Sequence, residues 1–281
     1  MKSVGIDMGG TSVRCGIVTG GELSFLNSII TNASGSRDEI ISDIISLIEK
    51  TGTDGVGSIG IGVPSVVDSE KGIVYDVQNI PSWQEVPLKE ILESRFNVPV
   101  FVNNDANCFI LGEKYFGKAK DYRNAVGITL GTGLGVGIVI DDKLYNGRNS
   151  GAGEFGTVPY KDKTYEYYCS GQFFKQIYKT AGSELSVKAS ANDPEALRIF
   201  DEFGSHLGEA VKLIMYALDP DIIVLGGSVS GSFRFFQESL MRSIGQFYFK
   251  NSLKNFKLEV SGLKNAAVFG ASSLAENFTL K

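Results

Sequence analysis

The sequence predicts an α/β protein built as a duplicated two-domain fold with a central cleft. Three observations predict it. Short apolar runs with strand character alternate with helical patterns along all 281 residues. Each half opens with a β-hairpin wrapped around a glycine-rich turn. The chain is also long enough to bury two cores. The expected division is 1–118 with 266–281 as a first domain, and 119–265 as a second. The boundary falls near Gly117–Arg123, and the last helix is expected to return to the first half.

Taken in order, Ser3–Asp7, Val13–Val18 and Leu23–Ile30 alternate and are joined by short gaps, which predicts an antiparallel meander. Ile40, Ile41, Ile44, Ile45, Leu47 and Ile48 fall at helical spacing within Arg37–Lys50, with Ser36 or Asp38 as N-cap. Ser58–Val63 reads as a buried strand stopped by Pro64, and Gly72–Val77 as a short edge strand. Leu88–Phe96 is a helix, Val100–Asn104 a strand ending in polar residues, and Ala106–Tyr115 a third helix. The pattern then restarts: strand Ala125–Thr129, glycine turn Leu130–Gly135, partner strand Val136–Asp141. Helices are expected over Ser170–Ala181, Pro194–Leu218 and Ser232–Phe247, a buried strand over Ile222–Leu225, and a last strand and helix over Lys257–Ser261 and Ala267–Asn277.

Composition narrows the function classes. Hydrophobic residues are 43% and charged residues 21%, ordinary for a globular protein, and the net charge is −5. An acidic chain without clustered Lys and Arg argues against nucleic acid as a partner. No run reaches the roughly 18 apolar residues that span a bilayer, so no membrane partner is expected. The sequence enters a strand at once, so no signal segment is expected. Cys15, Cys108 and Cys169 are odd in number and widely spaced, which fits neither a disulfide framework nor a zinc quartet and points to the cytoplasm. Glycine is the outlier, 34 of 281 residues, read as either many tight loops or many backbone approaches to a ligand.

Three motifs carry chemistry. In Val4-Gly5-Ile6-Asp7-Met8-Gly9-Gly10-Thr11 a strand ends on one acid and a turn nearly free of side chains follows. Such a turn lets backbone N–H groups approach a phosphate. Asp7 can hold a hydrated Mg2+ beside it, and Thr11 offers a hydroxyl. Thr129-Leu130-Gly131-Thr132-Gly133-Leu134-Gly135 repeats the device. It is neither a Walker loop, lacking G-K-[ST], nor a dinucleotide fingerprint, because a strand follows it. Asn103-Asn104-Asp105-Ala106-Asn107 lies where a buried strand meets a helix. Asp105 there is either a helix cap or the carboxylate that takes a proton from an attacking hydroxyl, with Asn104 beside it to hold a neighbouring hydroxyl. A weaker signal, Leu225-Gly226-Gly227, could seat adenine and ribose on bare backbone.

These segments, with Gly62-Val63-Pro64, Asn79-Ile80-Pro81-Ser82-Trp83, Gly151-Ala152-Gly153-Glu154-Phe155-Gly156 and Ser170-Gly171, occur in one order from Gly5 to Leu274. In that order the chain resembles the ROK family of sugar kinases, within the hexokinase–actin–Hsp70 superfamily. The resemblance implies an actin-like (ribonuclease H-like) fold and ATP-dependent phosphorylation of a hexose, as in glucokinase, usually at the 6-hydroxyl. It implies Asp105 as the base, and Asn79, Asn104, Asp105, Glu154 and Glu166 as sugar contacts. The nucleotide phosphates fall to Asp7, Gly9, Gly10, Thr11, Thr129, Gly131, Thr132, Gly133, Gly226 and Gly227, with Mg2+ near Asp7 through water. Family members are usually dimers or tetramers, so a homo-oligomer is expected.

The chain departs from the family in one place. There, G-E-x-G is followed by a histidine and a cysteine-rich loop that hold a structural zinc. Here Gly156 is followed by Thr157, and Val158–Tyr165 has no cysteine. About four N/S ligands are needed, so zinc is expected to be absent. Glu166-Tyr167-Tyr168-Cys169-Ser170-Gly171 still fits E-x-x-x-S-G. His206 reads as a core or helix-surface residue, and Cys169 as a packed thiol. Allose and N-acetylmannosamine remain alternative substrates. The different class is a non-catalytic sugar-binding ROK protein. A repressor of this family is not expected, since the sequence opens on the first strand without a helix-turn-helix.

Overall fold

A computed structural model describes residues 2–77 and 79–279. The chain divides into two compact units, which are described separately. Unit 1 comprises 1–123, 137–152 and 262–281, and unit 2 comprises 124–136 and 153–261. This differs from the expected division at 119–123, 262–265 and, most of all, 137–152. Gly137 is the physical reason: a Cβ there would stand 2.3 Å from the Ala106 carbonyl oxygen, so the strand backbone lies directly on the helix of unit 1.

In unit 1, β1 (Lys2–Met8), β2 (Ser12–Thr19) and β3 (Glu22–Ile30) form the antiparallel meander. β4 (Ser58–Val63) and β8 (Val100–Asn104) extend it in parallel, giving the order β3-β2-β1-β4-β8. Every residue of β4 is buried. Helix α1 (Arg37–Thr51) starts at Ser36, whose hydroxyl accepts from the Glu39 N–H while the Glu39 carboxylate accepts from the Ser36 N–H. That reciprocal pair satisfies two otherwise orphaned donors. Its buried face is Ile40, Ile41, Ile44, Leu47 and Ile48, which packs on the sheet core. β5 (Val66–Asp68), β6 (Ile73–Tyr75) and β7 (Glu85–Val86) make a small side sheet before α2 (Leu88–Phe96).

After β8 comes α3 (Asp105–Phe116). The late helix α9 (Ala266–Ser272) lies on α3, β1 and β4. Glycine makes this approach possible: a Cβ on Gly60 would fall 1.8 Å from the Ala271 oxygen, and one on Gly270 1.7 Å from the Cys108 oxygen. Part of the glycine excess therefore serves the packing of α9 on the sheet and on α3. The expected single last helix is broken at Ser273, and α10 (Leu274–Thr279) follows.

A second sheet runs β11-β10-β9-β14-β15, from β9 (Ala125–Leu130), β10 (Leu134–Ile140), β11 (Lys143–Leu144), β14 (Ile222–Gly226) and β15 (Lys257–Val260). In unit 2, β14 is parallel to both β9 and β15. α6 (Pro194–Leu218), started by Asp193 as N-cap and Pro194, packs along α7 (Phe233–Ile244). A small hairpin, β12 (Pro159–Tyr160) and β13 (Lys163–Thr164), leads to α4 (Tyr165–Cys169).

The helix expected over Ser170–Ala181 is not formed as one piece. α4 ends at Cys169, a π-helical turn covers Phe173–Ile177, and α5 (Gly182–Ser190) begins afterwards. The Ser170 hydroxyl accepts from the Gln172 N–H and donates to the Thr132 carbonyl, and the Gly171 N–H donates to the Gly131 carbonyl. Those bonds tie the segment to the glycine turn instead of to its own helix. A short α8 (Lys250–Asn255) was also not anticipated. Among the described residues, no helix is long and apolar enough to cross a membrane.

Candidate active site

In unit 1 the parallel register aligns Asp7 with Gly62 and Gly62 with Asn103. Three strand ends thus meet on one edge, the carboxyl edge where open α/β sheets bind ligands. The Asp7 carboxyl is held above the usual carboxylate range, chiefly by burial. Its cross-strand neighbour Arg14 only partly offsets this. The turn after it is braced by its own backbone: the Gly9 N–H donates to the Ser12 carbonyl, and the Thr31 hydroxyl to the Gly9 carbonyl. Gly10 and Thr11 are exposed. The Asn79 amide lies over Gly10, 3.3 Å from where a Cβ would stand.

The structure separates the roles of Asn104 and Asp105. Asn104 is the N-cap of α3: its side-chain oxygen accepts from the Ala106 and Asn107 N–H groups, and its amide donates to the Ser65 carbonyl at 3.3 Å. Asn104 thus holds the cap position and spends its side-chain polar atoms on backbone. Asp105 is the first helical residue, where the helix dipole favours a negative charge, and it also accepts from the Ala106 N–H at 2.8 Å. The buried thiol of Cys108 links the two acids: burial first, then the charges of Asp105 and Asp7, push its pKa well up.

In unit 2 the second glycine turn presents a different arrangement. Glu166, on α4, accepts from the Leu134 N–H at 3.0 Å and from the Gln172 side-chain amide at 2.9 Å. A Cβ at Gly133 would lie 2.5 Å from the Glu166 carboxylate. Glu166 is therefore built onto the turn. Glu154 lies near it: partial enclosure of its carboxyl, then the Glu166 charge, raises the Glu154 pKa although the residue reaches solvent. The Thr129 hydroxyl donates to the Gly135 carbonyl at 3.4 Å. Gly131 has nothing within 4 Å of a would-be Cβ. Beside Gly131 and Thr132 opens a cavity of about 620 Å3, floored by Phe174 and Phe200 and edged by Ser183, Ser186 and Ser228. Gly226 ends β14, and Gly227 follows at φ 83° against the Leu130 backbone. An apolar floor with a hydroxyl rim and an open glycine turn at one end suits a flat ring with a charged tail.

The segment whose counterpart in the family holds zinc does not fit that metal here. Tyr160 stacks on Tyr165 with centroids 4.3 Å apart, and Tyr168 and His206 close around them. The His206 Nδ1 is bonded to the Tyr160 hydroxyl at 3.0 Å, so His206 is a satisfied core histidine. Cys169 is fully buried, and burial pushes its thiol pKa far up. Among the described residues, no group of three or more His, Cys, Asp or Glu could hold a metal ion.

The ROK family model matches residues 3–277. The chain belongs to the ROK family. A glucokinase of Thermotoga maritima is 28% identical, over 98% of this chain and 97% of that one. The xylose repressor of Bacillus subtilis is also 28% identical, over 97% of this chain and 76% of that one. Among solved structures, a ROK family glucokinase from Streptomyces griseus in complex with glucose and AMPPNP superposes with a TM-score of 0.85 and 27% identity, covering 98% and 99% of the two chains. This ROK protein thus has the actin-like α/β fold expected of it, and its relatives include both sugar kinases and a repressor. Sequence reasoning missed Gln172, the phenylalanine floor and the amides of Asn107 and Asn146. The phenylalanines had a visible signal, as consecutive aromatics beside Ser170-Gly171, and Asn107 had one in its place four residues after Asn103.

Proposed function

We propose that this ROK protein is an ATP-dependent sugar kinase, glucokinase-like, transferring the γ-phosphoryl group to a hexose hydroxyl, the 6-hydroxyl by preference. The observation that supports the reading is in unit 1: Asn104 holds the cap position of α3, and Asp105, its first helical residue, follows the strand edge on which Asp7, Gly62 and Asn103 align. A sensor that only binds sugar needs neither a second acid nor a phosphate turn. Asp105 orients the sugar hydroxyl and accepts its proton as the oxygen–phosphorus bond forms and ADP leaves. Asn79 and the acids Glu154 and Glu166 hold further hydroxyls, Glu166 from a position fixed by the Leu134 N–H. In unit 2, the cavity floored by Phe174 and Phe200 takes the nucleoside, and the Gly131–Gly133 backbone takes the phosphates.

The Asp7 carboxyl is short of compensating charge, which fits a cation nearby. Mg2+ bound there through its water shell would neutralise phosphate charge. The zinc of the family has no part in this reading, because the Tyr160–Tyr165 stack holds the segment instead. A non-catalytic sugar-binding protein is the second reading, supported by equal identity to a repressor. The test is a coupled ADP-release assay with Mg-ATP across hexoses and N-acetylhexosamines. Sugar-dependent ADP release supports the kinase. Sugar binding by thermal shift with no ADP release on any sugar supports the second reading.

A further inference from the structure

We infer that Asn146 is a positioning residue for the proton acceptor, acting through the buried side chains of Asn103 and Asn107. The inference rests on reading Asp105 as the base. Asn103 is 0% exposed and Asn107 1%. Both donate an amide N–H to the Asn146 side-chain oxygen, each at 3.2 Å. Asn107 also donates to the Asn103 oxygen at 2.9 Å, and that oxygen accepts from the Asn104 N–H at 2.8 Å. One oxygen thus gathers the residue two before Asp105 and the residue two after it. The strand-to-helix junction is clamped on both sides of the acid.

The clamp is additional to what forms the helix. Asn104 already caps α3, and β8 is already paired to β4. What the amides add is the direction in which the first helical residue points. Asn146 is itself tethered, since its carbonyl accepts from the Ala152 N–H at 3.2 Å. A catalytic group displaced by about 1 Å loses on the order of 10²-fold in rate. Buried amides that lose their acceptor rearrange to find another, and Asp105 moves with the junction.

The experiment compares Asn146→Leu, Asn146→Asp and Asp105→Ala in the full chain, on the sugar with most ADP release. Asn146→Leu is expected to lose roughly 10–100-fold in kcat with the sugar KM and thermal midpoint close to wild type. Asn146→Asp keeps an oxygen that accepts both amides, so it recovers most of kcat. Its added charge disfavours ionisation of Asp105, so the acid limb of kcat/KM moves to higher pH. Wild-type kcat and pH profile in Asn146→Leu would overturn the inference. So would a kcat loss that merely tracks loss of folded protein, with no recovery in Asn146→Asp. If Asp105→Ala also turns over at the wild-type rate, the base reading itself has failed and the inference falls with it. An inert Asp105→Ala beside a normal Asn146→Leu overturns the inference alone.

Discussion

The first glycine turn, in unit 1, follows a strand that brings a partly buried carboxylate to its mouth. The second, in unit 2, has the Leu134 N–H taken by a carboxylate from another element, Glu166. In the first turn, would-be Cβ atoms at Gly9 and Gly10 meet only the Ser12 oxygen and the Asn79 side chain, each no nearer than 3.3 Å, and the glycines around the second turn differ among themselves. Gly131 faces open space, so no protein atom demands a glycine there. Gly133 and Gly227 are demanded by Glu166 and by the Leu130 backbone. The comparison teaches that the sequence does not distinguish a glycine that packing against protein demands from one that faces open space.

Breaking the first turn should have the largest effect. Asp7→Asn is expected to lower kcat/KM for Mg-ATP by at least two orders of magnitude. It should also raise the thermal midpoint of the ligand-free protein by a few degrees, because a partly buried, poorly solvated charge is removed. Unchanged turnover, or a lower midpoint, would contradict the account of Asp7. The second turn is sharpened by paired substitutions. Gly131→Ala should weaken AMPPNP binding by tenfold or more (~1.4 kcal/mol) in calorimetry while leaving the thermal midpoint alone. Gly227→Ala has a φ of 83° and a Cβ 2.4 Å from the Leu130 oxygen, so it should cost stability, about 1–3 kcal/mol. Equal effects of the two on stability would erase the distinction.

The smallest effect concerns the aromatic segment of unit 2. The His206 pKa is lowered, first by burial and then by Lys161. The unfolded chain therefore binds the proton more readily. Stability is full above the unfolded pKa of about 6.5 and declines as pH falls below it. Thermal midpoints between pH 8 and 5.5 should fall by a few degrees more in wild type than in His206→Gln.

Much of the fold was legible because its signals are local. The run of isoleucines with Ser36 ahead of it defines α1, and Pro194 to Leu218 is one helix as the spacing demanded. What was not legible is decided across distance. The Ser170 hydroxyl and the Gly171 N–H bond to the second glycine turn, and this interrupts a pattern that reads as helix. Asn103 and Asn107 are four residues apart across the strand-to-helix junction, a visible hint of pairing, but nothing in the sequence joins them to Asn146, 39 residues beyond Asn107. For Asp105 the sequence left two readings open; the structure puts Asn104 at the cap and Asp105 on the first turn of α3, also bonded to the Ala106 N–H.

The most direct test measures sugar binding and turnover side by side in Asp105→Ala. The account predicts sugar affinity close to wild type with kcat reduced by about 10²–10⁴-fold. Turnover at the wild-type rate, with phosphate still transferred to the sugar, would contradict it.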